Sequence, residues 1–274
     1  MMRRFSDRRP GVLMFAALAS LGLTLAGCGS GVDSQIGRSP RMSTGSLAPA
    51  PPRKVKPSEA LDHAQKFAVH GIDVSKYQGP IDWQAVASSD VQFAWIKATE
   101  GADHMDARFR ENWDGARAAG VPRGAYHFVY WCRPWRQEMA WFKANVPVEK
   151  DALPPVLDVE ATPESKTCKR TLYPEEAVPE MREMLQEMER HYGKKPVIYT
   201  TVDFYEAILA GGALSEYPIW VRSTKHHPSV RYGDRNWHFW QYQSDGSVPG
   251  IGTAVDRNVF RGDEKEWQRW LASN

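Results

Sequence analysis

Two carboxylates two residues apart, Asp158 and Glu160, close an otherwise apolar run in "PPVLDVEA". The run reads as a buried strand. Strand side chains alternate between faces, so the pair points one way with Cα atoms roughly 6.5 Å apart. Two carboxyls held that close resist double ionisation, and one keeps its proton to a higher pH than usual. That is how an acid catalyst is prepared. Asp73 in "GIDVSKY" and Glu100 in "WIKATEG" also sit at the ends of strand-like runs, whereas Asp256 lies early in "AVDRNVF". A structural ion pair with Arg222 would account for Asp158 and Glu160 alone, but five such carboxylates argue for chemistry.

The elements that must position these residues begin near Phe67. Short apolar runs, "HGIDVSKY", "VQFAWIKATEG", "PRGAYHFVYW", "PPVLDVEA" and "KPVIYTT", alternate with helical stretches. "PEEAVPEMREMLQEMERHYG" is the clearest helix, with Met and Leu at three- and four-residue spacing and Gly193 as its stop. The last third loses that rhythm: "YPIWVRST", "WHFWQYQS" and "AVDRNVF" are strands joined by turns, with no long helix until "EKEWQRWLASN". Alternation of this kind predicts a parallel barrel of class α/β, irregular at its end, with its site at the C-terminal ends of the strands. No internal repeat is present, and residues 67–274 read as one domain.

The N-terminus carries Arg3, Arg4, Arg8 and Arg9 ahead of an apolar stretch, then small residues, which is the pattern of a secretory signal over residues 1–27. It ends at "LAGC", a quartet that resembles a bacterial lipobox and implies lipidation of Cys28. Gly29 after it favours the outer membrane in a two-membrane bacterium. Residues 28–66, rich in Gly, Ser and Pro, are expected to be a disordered tether spanning about 35 Å on average. The formal charge is +2, and loss of the signal's four Arg and one Asp brings it to −1. Nothing there favours nucleic acid. The 11 Trp and 10 Tyr suggest a partner bound by stacking and hydrogen bonds, as sugars are. Cys132 and Cys168 each follow a strand end and are expected to pair as a disulfide in an exported protein. Neither they nor the scattered His have metal-site spacing, so no metal or cofactor is expected.

"GIDVSKYQGPIDW", "FAWIKATEG", "GAYHF", "LPPVLDVE" and "WQYQSDGSVPGIGTAVDRNVF", in that order over about residues 69–262, resemble glycoside hydrolase family 25, the lysozyme-type muramidases. The resemblance implies a modified TIM-like (β/α)5(β)3 barrel and cleavage of the β-1,4 bond between N-acetylmuramic acid and N-acetylglucosamine in peptidoglycan. It assigns the proton donor to Glu160 and its partner carboxylate to Asp158, and places Asp73 and Asp256 in the catalytic groove. It also implies retention assisted by the substrate's own acetamido group, a known exception to the two-carboxylate scheme. The expected partners are the peptidoglycan glycan strand and, through the lipid alone, a membrane; the protein is expected to be a monomer.

Tyr126, Lys97, Glu100, Trp220, Trp240, Gln241 and Tyr242 form the candidate substrate-binding set. Of these, Gln241 and Lys97 suit holding the carboxylates, Glu100 suits pairing with Lys97, and the aromatics suit either sugar stacking or the core. His127 carries the same ambiguity, and Trp131, Trp135 and Trp141 are expected to pack or line the rim. Arg222 and Ser223 depart from the small or aromatic residues usual in the family. Two rival readings are a non-catalytic wall-binding lipoprotein, which would have no need of the acid pair, and a glycosidase acting on another N-acetylated glycan such as chitin.

Overall fold

The computed structural model describes residues 58–274. The expected signal, the lipidation site Cys28 and the tether up to residue 57 lie outside them. The end of the tether differs from expectation. Residues Glu59–Ala64 form helix α1, capped by the Ser58 side chain, which accepts from Leu61 N at 3.1 Å. Ala60 and Ala64 are fully buried against the domain, so the folded part begins earlier than residue 67. The two apolar residues one turn apart were masked in the sequence by polar neighbours.

The strands are β1 (His70–Val74), β2 (Val91–Glu100), β3 (His104–Met105), β4 (Arg123–Phe128), β5 (Val156–Val159), β6 (Val197–Thr200), β7 (Ile219–Arg222), β8 (Phe239–Gly246) and β9 (Val255–Phe260). Apart from the small hairpin strand β3, they close into an eight-stranded barrel in the order β1-β9-β8-β7-β6-β5-β4-β2, with β1 pairing back onto β2. Helices α2 (Trp83–Ala87), α3 (Phe109–Ala118), α4 (Trp135–Asn145), α5 (Pro174–Tyr192) and the short α6 (Val202–Phe204) follow the first five barrel strands. Only the four-residue α7 (Ser229–Tyr232) separates β7 from β8, and β9 returns from β8 directly, giving the (β/α)5(β)3 architecture. The final strand runs antiparallel to both of its neighbours. Its early residues therefore lie at the mouth of the barrel, which explains why Asp256 stands where an ordinary parallel strand would have its foot.

Alternation along each strand divides the apolar residues into two cores. Outward residues such as Ile72, Leu157 and Ile198 pack under the helices; Ala177, Met181, Met184, Leu185 and Met188 supply the matching stripe of α5. Inward residues fill the barrel itself. Phe93, Trp95, Trp220 and Phe239 interlock there, with ring centroids 5.4 to 6.3 Å apart, at distances where aromatic contacts add to burial. Two glycines make room: a Cβ on Gly71 would strike the Phe93 ring, and one on Gly124 the Trp95 ring. Helix α8 (Glu264–Ser273) starts at an Asp263/Glu266 capping box and turns Trp267 under the barrel, 5.3 Å from both Phe93 and Phe260. It plugs the end opposite the mouth.

Candidate active site

At the C-terminal ends of the parallel strands a cavity of about 440 Å³ opens, and Asp73, Asp158, Glu160 and Asp256 all line it. Inward alternation on β5 runs Val156, Asp158, Glu160, so the last two share the cavity wall. Asp158 is buried and its Oδ1 meets no N–H or hydroxyl donor. The group within hydrogen-bonding contact is the Glu160 carboxyl. Burial, and then the facing charge of Glu160, holds Asp158 well above the usual carboxylate range. Glu160 is also raised by burial, with Arg222 and the bond from Asp158 opposing. One proton between the two satisfies both, and the pair titrates as a unit. Glu160 is the more exposed member of the pair.

Across the mouth Asp73 faces Asp256, its register partner on the antiparallel strand. Asp73 Oδ2 accepts from Gln241 Nε2 at 2.9 Å and Asn258 Nδ2 at 2.8 Å. Those amides are held in turn: Tyr199 Oη donates to Gln241 Oε1 at 2.9 Å, and Trp220 Nε1 to Asn258 Oδ1 at 2.8 Å. Burial raises Asp73 to about 6, against the pull of the two amides and Arg222. Asp256 lacks the amides. Burial, then the charge of Asp73, takes it to about 8, with Arg222 opposing. At neutral pH Asp73 is thus mainly an anion and Asp256 mainly a hydrogen-bond donor. Arg222 lines the same cavity but makes no ion pair within 4.0 Å among the described residues, so its charge is spread over three carboxyls. The pairing of Arg222 with Asp158 and Glu160 allowed by the sequence is absent.

Of the expected binding set, Tyr126, Lys97, Trp220 and Gln241 line the cavity. Burial and the nearby acids keep the Tyr126 hydroxyl protonated and able to donate. Lys97 Nζ pairs with Glu100 at 2.8 Å and lies 5.0 Å over the Phe128 ring. The other three members of the set stand outside the cavity. Glu100 does not line the cavity and serves as the partner of Lys97. Trp240 is fully buried on the outer face of β8, donating Nε1 to Ser223 O at 2.9 Å and packing against Trp237. Tyr242 shares that face, 3.4 Å from His70 Nδ1. Gln241 takes the inward position between them. His127 likewise points outward, between Thr99 Oγ1 at 2.7 Å and the buried Glu138 at 2.9 Å.

Trp131 supports the site rather than lining the main cavity: its Nε1 donates to Glu160 O at 2.9 Å. Trp135 carries the Arg136 guanidinium 4.3 Å over its ring, and Trp141 donates to His104 O. Cys132 and Cys168 are joined in a disulfide with Cα atoms 5.5 Å apart, tying the loop after β4 to the loop after β5.

Tyr77 was missed by the sequence reading. Its side chain is 74% exposed on the rim of the cavity. The turn bearing it is fixed by a Ser75/Gln78 capping box and by Asp106 Oδ2 accepting from Lys76 N at 2.9 Å. A polar, capped turn directly after the Asp73 strand was the available signal.

Residues 72–251 match the family described as glycosyl hydrolases family 25. The chain is 38% identical to "Uncharacterized protein YegX" of Escherichia coli O157:H7 over 227 residues, covering 80% of this chain and 79% of that protein. It is 33% identical to "Lysozyme M1" of Streptomyces globisporus over 291 aligned positions, covering 93% and 92%. Among solved structures, a family 25 glycosyl hydrolase from Bacillus anthracis superposes with a TM-score of 0.68 at 36% identity, over 74% of this chain and 94% of that one. With the barrel, its antiparallel last strand and the carboxylates at its mouth in agreement, the chain belongs to glycosyl hydrolase family 25 and is a glycoside hydrolase.

Proposed function

We propose that the protein is an N-acetylmuramidase that hydrolyses the β-1,4 bond between N-acetylmuramic acid and N-acetylglucosamine in peptidoglycan, with Glu160 as its general acid. The observation that carries this reading is the Asp158–Glu160 pair set side by side at the wall of an acidic cavity, both carboxyls raised by burial. With the pair's one proton on Glu160, Asp158 is the anion. Glu160 protonates the leaving oxygen as the C1–O bond breaks, the substrate's 2-acetamido oxygen closes on C1, and Asp158 accepts the acetamido N–H, steadying the positive charge that develops. Water then adds to C1 as the bond from C1 to the acetamido oxygen breaks, restoring the acetamido group, and the water gives its proton to Glu160. Ionised Asp73 adds negative charge to the site, and protonated Asp256 donates to a sugar hydroxyl.

The test is digestion of purified peptidoglycan by the full chain, followed by identification of the sugar at each new reducing end. N-acetylmuramic acid ends support the reading; N-acetylglucosamine ends, or no ends at all, reject it.

Two changes outside the acid pair probe the cleft. The Tyr77 ring suits a stacking platform for a sugar, and Tyr77→Ala is expected to raise KM about fivefold, on the order of 1 kcal/mol, with kcat nearly unchanged. A fall in kcat at constant KM would place Tyr77 in the chemistry instead. Arg222 pulls Asp73, Glu160 and Asp256 downward. Arg222→Gln is therefore expected to lift all three and move the alkaline limb of the kcat/KM profile up by roughly one pH unit. An unmoved or lowered limb would contradict this electrostatic role.

We further propose that the lipobox is used, anchoring the enzyme by a lipid on Cys28, on the outer membrane in a two-membrane bacterium. Labelled fatty acid is expected to enter the wild-type chain but not Cys28→Ala, and recovery of the wild type in inner-membrane fractions would reject the outer-membrane assignment.

A further inference from the structure

Beside the catalytic cavity lies a second one, of about 330 Å³, and the two share a strand end. Glu160 lines the first; Ala161, Thr162 and Pro163, the residues immediately after it, wall the second. A substituent on a sugar at Glu160 needs to extend only a residue or two to enter it, at about 3.3 Å per extended residue.

The cavity is a built feature. Trp131 and Phe204 stack at its floor, centroids 5.5 Å apart and planes 17° apart, with Ile208 and Leu172 beside them. The loop over it is tied down at three points: the Cys132–Cys168 disulfide, Arg170 Nη1 donating to Trp131 O at 3.0 Å, and Tyr130 Oη bonded to Ser165 Oγ at 2.8 Å. Because Trp131 also donates to Glu160 O, this floor and the acid are coupled through one indole.

Its chemistry differs from that of the catalytic cavity. Sugar hydroxyls both donate and accept, and the catalytic cavity offers carboxylates and the amides of Gln78 and Gln241 to meet them. No Asp, Glu, Asn or Gln lines the second cavity. It offers apolar walls, the hydroxyls of Thr162 and Thr171, and two cations. Arg170 is engaged by Glu176 and Glu180, each at 3.3 Å. Lys169 has no carboxylate partner among the described residues. Apolar walls with a free ammonium at the rim fit a short acidic peptide with small side chains.

Resting on the muramidase reading above, we infer that this cavity binds the peptide substituent of the wall glycan, so that the enzyme selects peptide-bearing over naked strands. The test compares two substrates, intact peptidoglycan glycan and the same glycan stripped of peptides by an amidase, using the full-length wild type, Lys169→Glu and Ala207→Trp. Ala207 is an exposed lining residue, and an indole there fills the cavity without touching the acid pair.

Wild type is expected to favour the peptide-bearing glycan about tenfold in kcat/KM, and each variant to raise KM on that substrate by about the same factor, as loss of one charge pair or apolar contact does. On stripped glycan the variants should match wild type, which also shows that they are folded. Equal wild-type cleavage of both glycans, or variants impaired equally on both, overturns the inference while leaving the muramidase reading intact. Cleavage of neither glycan by wild type overturns both.

Discussion

Glu160→Gln is expected to lower kcat on peptidoglycan by about a thousandfold, the scale of a lost general acid, with little change in KM or in folding. The amide keeps the size of the carboxyl, and the backbone anchor from Trp131 Nε1 to Glu160 O is untouched. What disappears is the proton. A sugar alkoxide is a poor leaving group without one, whereas a nitrophenolate is not, so a nitrophenyl glycoside should recover most of the lost rate in the variant. Asp158→Asn should show no such rescue, because its loss falls on the acetamido group. Residual activity of Glu160→Gln within tenfold of wild type would remove Glu160 from the role of acid.

The second large effect concerns stability. The Asp256 carboxyl is raised from 3.8 to about 8 in the folded protein. Below pH 4 it is protonated whether the chain is folded or not, and its contribution is then fully favourable. As pH rises towards 8 the unfolded chain releases the proton and the folded one resists, so stability is lost across that window. Asp73, raised to about 6, acts in the same sense up to its own value. The protein is therefore expected to be more stable at pH 5 than at pH 8. Asp256→Asn removes its share of the loss, an effect of about 2 to 3 kcal/mol at pH 8 once partial exposure and sharing with Asp73 are discounted from the full shift. In a domain of this size that is roughly 5 to 10 °C in Tm. Thermal unfolding across pH decides it: a variant no more stable than wild type at pH 8 would show that Asp256 carries no such burden.

What the sequence revealed depended on whether a feature left a periodic mark. The two-residue repeat placed Asp158 and Glu160 on one face, and strand-helix alternation was enough to expect a barrel. Strand direction leaves no such mark, so Asp256 stood out of place until β9 proved antiparallel. Nor does alternation say which face is inward when both are buried. Gln241 and Trp240 were separable, but only the closed sheet turns Gln241 to the cavity and Trp240 to the helices. The Tyr199 and Asn258 supports of Asp73 were invisible for a related reason: their hydrogen bonds join residues far apart in the sequence, on strands that only the closed sheet brings together.

The pairing of β1 with β9 has a consequence in time. It joins the first and last strands of the ring and in the same stroke sets Asp73 opposite Asp256. A chain still under synthesis already carries Asp73, Asp158 and Glu160, yet it has neither the fourth carboxylate nor the Asn258 amide that fixes the first. Nor has it the α8 plug that seals the foot of the barrel. The complete site is therefore the last feature the molecule acquires.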